Sequence, residues 1–356
     1  MIWNKFKILL GIIFLMSKIL ILKNDRAGDL FTSLKLISSL LKYSKDLTIY
    51  LSELNISFSF FFKKEKIKKI SYDLSFFEKI KITYDIIINK YEKIYILSPK
   101  SFFFFLPFFF RKTKFYAIVY DGQKRDRPNI FFRKYLYKYR TISRRKINKY
   151  SYRQLQEQLL DKNQTLDENF IKLINPKMNA NINLLVPNDY VFFQFRHKFF
   201  DELDWNNENI TSFLNFLRSK FKNVLFCSDI ENNKRSNMFK NFFSKKFSCI
   251  DLNNNQKFET LTNNNIYYLK DLSAIDMFHI IKNSSMCIAK EGIVSHICFF
   301  HNVKCHNLFN FKLEKAEDIK HQKISYSEWC KGMNYSFSFL NRDVNKAMNK
   351  INKQIL

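Results

Sequence analysis

The chain has 356 residues, 46% of them hydrophobic and 26% charged, which excludes a disordered segment or a fibrous repeat and leaves room for one large domain or two ordinary ones. Lys+Arg number 60 against 32 Asp+Glu, and the net charge of +28 excludes an acidic solvating protein. The excess is uneven: residues 1–150 hold 32 basic and 11 acidic residues, a net +21, and residues 151–356 the remaining +7.

At the N-terminus, Lys5 and Lys7 precede the apolar run Ile8–Met16, which has the look of a signal peptide but no small-residue cleavage site. About eleven apolar residues fall short of the roughly 20 that span a bilayer. Residues 1–17 therefore read as an extension, either a short interfacial anchor or sequence ahead of a true start at Met16.

From Lys18 onward short apolar runs alternate with helical spacing. Ile19–Leu22 reads as a strand, Asn24–Gly28 as a polar loop, and Leu30, Leu34, Ile37, Leu40 and Leu41 recur at helical intervals. Leu47–Leu51 is a second strand, Lys63–Lys69 a basic surface helix or loop, and Lys93–Leu97 and Phe115–Val119 are further strands. The Phe-rich run Ser101–Phe110 is too short to span a membrane and is interrupted by Pro107. Residues 151–182, polar and closing on Asn175-Pro176, read as a linker.

A second series follows: strands at Tyr190–Phe195, Asn223–Cys227, Ile266–Leu269, Ser285–Ala289 and Lys304–Leu308, with helices at Glu208–Phe221, Ser273–Ile281 and from about Val294. The expected fold class is α/β, two Rossmann-like domains (18–150 and 183–335) facing each other across a cleft, with a C-terminal helix over 336–356. The six cysteines all lie in the second half with no CxxC pair, and read as reduced core thiols.

The chain has only five glycines, so a glycine on a strand-to-helix turn answers a backbone requirement. Gly28, in Asn24-Asp25-Arg26-Ala27-Gly28-Asp29, follows the first strand of the first domain, and Gly292, in Lys290-Glu291-Gly292-Ile293-Val294-Ser295-His296, follows a strand of the second. Both turns fall where doubly wound sheets bind ligands and where helix N-termini favour anions. Asp29 is either a helix cap or a candidate general base. His296 is either a core histidine or, with Ser295 and Glu291, part of a polar cluster suited to a phosphate or sugar hydroxyls.

These segments carry a resemblance. Lys18–Asp29 resembles the opening strand and Gly-Asp loop of glycosyltransferase family 9, the ADP-heptose:lipopolysaccharide heptosyltransferases, and Leu272–Phe309 resembles that family's C-terminal signature, with Glu291, Gly292, Ser295, His296 and Val303–Phe309 in its places. The resemblance implies a GT-B fold and an inverting, metal-independent glycosyltransferase that uses no cofactor. It implies a nucleotide-sugar donor, ADP-heptose in the family, held by the second domain. The acceptor is then a lipid-linked anionic glycan such as lipopolysaccharide core, met by the first domain at an anionic membrane surface, on the cytoplasmic side of the inner membrane.

Carried over, Asp29 is the general base, with Asp25, Arg26 and Gly28 in the acceptor loop, and Arg196 and Lys198 take the place of the phosphate-contacting basic residue. Two departures leave the donor sugar and nucleotide open: Gln194-Phe195-Arg196-His197-Lys198 stands where the family has Pro-Gly followed by Lys near a Trp, here Trp205, and Glu291-Gly292 replaces an Asp and a hydroxyl residue.

Arg125, Arg127, Arg133, Lys134, Arg144, Arg145 and Lys146 either line the acceptor side or form a solvated charged face. Two other classes stay in view: a nucleic-acid binder using the basic aromatic segment Phe102–Tyr152, against which stand the lack of a recognisable nucleic-acid motif and the two Rossmann-like halves, so that no nucleic acid is expected as a partner, and an inactive relative acting as a membrane-bound partner.

Overall fold

The computed structural model describes residues 17–62, 66–143, 148–167, 182–228, 233–254, 256–258, 265–290, 292–310 and 335–355. Residues 1–16, Arg144–Lys146, Glu291 and Cys330 lie outside the described residues. The chain divides into two compact units, one built from the described residues up to 167 and one from those from 182 onward.

The first unit runs β1 (Ser17–Lys23), α1 (Ala27–Leu41), β2 (Ser44–Ser52), β3 (Lys66–Ile70), α2 (Phe76–Asn89), β4 (Lys93–Ile96), α3 (Ser101–Phe109), β5 (Lys114–Asp121), α4 (Arg127–Phe132), β6 (Lys138–Ser143) and α5 (Tyr152–Glu157). Its six strands are parallel in the order β3-β2-β1-β4-β5-β6, so the chain grows outward on one side of β1, returns, and grows outward on the other. A parallel sheet is covered on both faces, which is why Ile19, Leu20, Ile21 and Leu22 are all fully buried rather than alternating with polar residues. Leu20 and Leu22 share a core with Ile82 and Ile86 of α2 and with Phe103, Phe104 and Leu106 of α3. On α1, Leu30, Leu34, Ile37 and Leu40 are buried, as their spacing requires.

The second unit runs α6 (Ile182–Leu185), β7 (Tyr190–Gln194), α7 (His197–Asp201), α8 (Asn207–Lys220), β8 (Asn223–Cys227), α9 (Lys234–Lys246), β9 (Ser248–Asp251), β10 (Gln256–Phe258), β11 (Ile266–Lys270), α10 (Ala274–Asn283), β12 (Met286–Lys290), α11 (Ile293–His301), β13 (Cys305–Asn310), β14 (Tyr335–Leu340) and α12 (Val344–Ile355). The sheet order is β10-β9-β11-β8-β7-β12-β13-β14, and only β10 runs antiparallel to its neighbour. Phenylalanine fills the core, with Phe195 stacked on Phe200 at 4.9 Å between ring centres and Phe226, Phe239 and Phe243 packed around them. Cys227, Cys249, Cys287, Cys298 and Cys305 are free and buried, in keeping with their reading as core thiols.

Two assignments need correction. The basic run at Lys63–Lys69 contains an edge strand, β3, rather than a surface helix or loop. Lys66 and Lys69 are exposed along it, a common way to protect a sheet edge from pairing with another chain, whereas Lys68 turns in to pair with Asp85 and Ile70 joins the core. The segment 336–356 is not one helix: Tyr335–Leu340 adds a strand to β13, and the helix starts only at Val344. The alternation Tyr335-Ser-Phe-Ser-Phe339 has the period of a strand, with Phe337 and Phe339 stacked edge to face at 5.8 Å. Among the described residues no helix is long and apolar enough to cross a membrane.

Candidate functional site

In the first unit the strand order reverses between β1 and β4, and the loops leaving the C-terminal ends of these strands must separate there. The gap they leave is a cavity of about 680 Å³. Asp25, Arg26 and Asp29 line it from the end of β1, Tyr72 to Leu74 from the end of β3, Pro99 to Phe102 from the end of β4, and Tyr120 from β5, with Lys79 and Asp126 also on its wall.

The loop after β1 is held rigidly from below. Asn24 Nδ2 donates to the carbonyls of Ser71 and Tyr72 at 3.1 and 3.3 Å, Asn55 Nδ2 donates to the carbonyl of Lys23 at 2.9 Å, and Ser52 Oγ donates to the carbonyl of Asp25 at 2.6 Å. Lys23, the last residue of β1, is fully buried, and its Nζ donates to Asp25 Oδ2 at 2.7 Å and to the carbonyl of Leu97 at 3.1 Å. Burial disfavours the Lys23 ammonium, but Asp25, Tyr152 and Asp29 together outweigh it and hold the Lys23 pKa above its ordinary value. Burial pushes the Asp25 carboxyl up, to about 7, against the pull of Lys23 and with a further push from Asp29.

Asp29 stands on the first turn of α1, half-buried, where the helix N-terminus favours a carboxylate. Its backbone carbonyl accepts from Thr32 Oγ1 at 2.6 Å. Across the cavity Lys100 Nζ lies 3.4 Å from the centre of the Tyr72 ring and 3.7 Å from Asp73 Oδ1. Burial lowers the Lys100 pKa, with Asp73 opposing it.

Asp25 and Arg26, expected in an acceptor loop, and Asp29, the candidate base, are thus brought together on one wall. Gly28 is not at a special turn: it is the second residue of α1, and among the described glycines only Gly122 and Gly292 have positive φ. Arg127, Arg133 and Lys134 are exposed and absent from the cavity wall, whose cations are Arg26, Lys79 and Lys100. Lys23 and Lys100 went unnoticed in the sequence. The one available signal for Lys23 was a lysine ending an otherwise apolar strand.

The second unit has its own switch point, between β7 and β12. Gln194 ends β7, half-buried, and Arg196 caps the short helix α7. Gly292, at φ 157° and ψ −146°, occupies a conformation left essentially to glycine, and a Cβ built there would sit 3.8 Å from Arg196 Nη1. The Arg196 guanidinium therefore lies against the turn that starts α11, a helix N-terminus with positive electrostatic character. Lys290 ends β12 with its Nζ 5.6 Å from the Phe199 ring centre. Lys198 is exposed on α7, and His296 is half-buried on the first turn of α11. Ser295 turns inward instead, fully covered, with Oγ donating to Asn307 Oδ1 at 2.6 Å. Trp205 is buried, its Nε1 donating to the carbonyl of Asn341 at 3.0 Å.

No family model and no curated protein matches this sequence. Solved structures do match. An E. coli heptosyltransferase with ADP-2-deoxy-2-fluoro heptose is 11% identical over 94% of this chain and 98% of that one, with a TM-score of 0.59. A glycosyltransferase family 9 protein of Veillonella parvula is 9% identical, over 94% and 90%, at 0.56. The UDP-GlcNAc 2-epimerase of Methanocaldococcus jannaschii is 12% identical, over 94% and 92%, at 0.56. At these identities the likeness is one of fold: the chain is an α/β protein of GT-B type, with two Rossmann-like units.

Proposed function

We propose that the protein is an inverting glycosyltransferase that moves a sugar, heptose by its fold and motif likeness, from a nucleotide-sugar to a lipid-linked anionic glycan such as lipopolysaccharide core. The observation that carries this reading is the Asp29 carboxylate on the first turn of α1, lining a cavity at the switch point of the first unit. A carboxylate so placed can take the proton of an acceptor hydroxyl as its oxygen attacks the anomeric carbon. The bond from that carbon to the nucleotide breaks on the opposite face, its electron pair leaving on the diphosphate, so the configuration inverts.

The departing charge calls for fixed cations and N–H donors, which Arg196 and the α11 N-terminus at Gly292 supply in the second unit. Lys198, Lys290, Gln194 and His296 flank this anion site, Glu291 completes the donor set named from the sequence, and Ser295 supports the turn through Asn307. The similar structures support a nucleotide-sugar ligand, since one holds an ADP-heptose analogue and another is a UDP-GlcNAc 2-epimerase. The lipid-linked acceptor has the enzyme working peripherally at the cytoplasmic face of the inner membrane.

Asp29→Asn removes the base and keeps the shape. Its kcat for sugar transfer, followed by nucleoside diphosphate release, is expected to fall about 10²–10⁴-fold with donor affinity unchanged. Undiminished transfer would remove Asp29 from the mechanism. The epimerase likeness favours a second reading, isomerisation of a nucleotide-sugar, and an isomerised donor formed without acceptor would establish it.

A further inference from the structure

The exposed large apolar side chains of this protein are concentrated in one place. Among the described residues, all of them except Met238 belong to the first unit, and most stand on the three helices α2, α3 and α4 that cover one face of its sheet. On α2 the inward residues Ile82 and Ile86 join the core, yet Phe76, Phe77, Ile80, Tyr84, Ile87 and Ile88 face outward, with Phe76 and Phe77 70% and 80% exposed. At 100° per residue these six form a single face about 120° wide, so α2 is apolar on both sides. Phe105, Phe108 and Phe109 of α3 and Phe131 of α4 extend the apolar surface over the same layer. A patch of this extent marks an interaction site.

The charges around it are predominantly positive, the exposed acids nearby being Asp73, 3.7 Å from Lys100 Nζ, and Glu92. Lys81, Lys90, Arg111, Lys112, Arg133 and Lys134 are exposed on or beside these helices. The two acids of α2 are engaged internally: Glu78 accepts from Ser71 and from the backbone of Ser75, and Asp85 is buried among Tyr50, Lys68 and Asn89. Helices α3 and α4 contain no acid at all. Lys134 lies 4.9 Å from the Phe131 ring centre and Arg111 5.6 Å from that of Phe108, so cation and aromatic alternate.

We propose that this three-helix layer docks on an anionic lipid bilayer, its aromatic and isoleucine side chains inserting at the head-group boundary while the surrounding cations meet lipid phosphates. A second copy of the chain fits poorly, because it would set two predominantly positive faces against each other. Lys79 of α2 and Leu74 just before it also line the cavity that holds Asp29, so docking sets the cavity rim near the membrane surface. The proposal uses the lipid-linked acceptor reading only for its purpose. Docking is measured without any transfer reaction, so either idea can fail while the other stands.

The test is co-sedimentation of the full chain with phosphatidylcholine vesicles, with and without phosphatidylglycerol. Binding is expected only to the phosphatidylglycerol vesicles. Phe77→Ser with Ile88→Ser should weaken it at least tenfold, as should Phe109→Ser with Phe131→Ser in a second variant. Each charge removed by Lys81→Gln or Lys90→Gln should cost about fivefold. Met238→Ser, in the second unit, should bind like the parent, and unchanged melting temperatures show that the variants fold. No binding by the parent chain, or binding indifferent to both apolar pairs, overturns the proposal. So does a concentration-dependent dimer that the Phe77→Ser, Ile88→Ser variant abolishes, because that result assigns the face to a second copy.

Discussion

Lys23 and Asp25 show how the loop before Asp29 is held. An ammonium at the end of a buried strand is tolerable only with a carboxylate and a carbonyl in contact, and Lys23 has both, at 2.7 and 3.1 Å. Removing one partner of such a pair strands the other in a site that has excluded water. Lys23→Met is therefore expected to destabilise the fold by about 3–5 kcal/mol, read by urea denaturation, and Lys23→Met with Asp25→Leu should recover most of the loss. An equal loss in the double variant would show that packing, rather than the charge pair, sets the cost. The pair also reaches the candidate site, because Asp25 shares the cavity wall with Asp29, whose charge adds to the cost of ionising Asp25.

At the scale of elements, β14 is joined to β13 by more than backbone hydrogen bonds. His306 Nδ1 lies 2.7 Å from Ser336 Oγ and its Nε2 3.0 Å from Ser338 Oγ, with the ring buried. Burial, helped by Lys304, lowers the His306 pKa to about 4. Unfolded, the imidazole takes up its proton near pH 6.5, so between these values the unfolded state binds more protons and stability falls as pH drops. The contribution is on the order of 3 kcal/mol by pH 4. Melting temperatures between pH 7.5 and 4.5 should fall more steeply for the parent chain than for His306→Asn. Identical slopes would mean that another group carries the acid sensitivity.

For the whole molecule, the two units repeat one physical solution: a parallel sheet reverses its strand order, the loops part, and polar side chains collect at the C-terminal strand ends. The first unit collects carboxylates, the second an arginine beside a helix N-terminus, and a nucleotide diphosphate suits the second. A nucleotide that binds only the folded chain stabilises it by about 2.7 kcal/mol at a hundred times its Kd. Melting temperatures measured with ADP, UDP, GDP and CMP should therefore rise selectively with one of them, and Arg196→Ala should abolish the rise. A rise that survives Arg196→Ala would move the anion site away from the β7–β12 switch point.

The succession of buried strands and amphipathic helices was legible in the sequence, because a buried parallel strand must be apolar throughout and a covering helix must repeat every three to four residues. Ile19–Leu22, Asn223–Cys227 and the helix of Leu30 and Leu34 carry that pattern without ambiguity. Edge strands do not: Lys66–Ile70 is half solvated, so its lysines masked a strand, and Tyr335–Leu340 was hidden beside a helix. Asp29 and Gly292 could be singled out locally, since strand, turn and helix start lie within a few residues of each other. The partners that complete their surroundings could not. Leu97 and Tyr72 meet the β1 loop, and Arg196 meets Gly292, only because strands distant in sequence become neighbours in a sheet. The apolar outer face of α2 likewise needed the fold, for a helix apolar all round announces burial in sequence, and only the tertiary structure left one side uncovered.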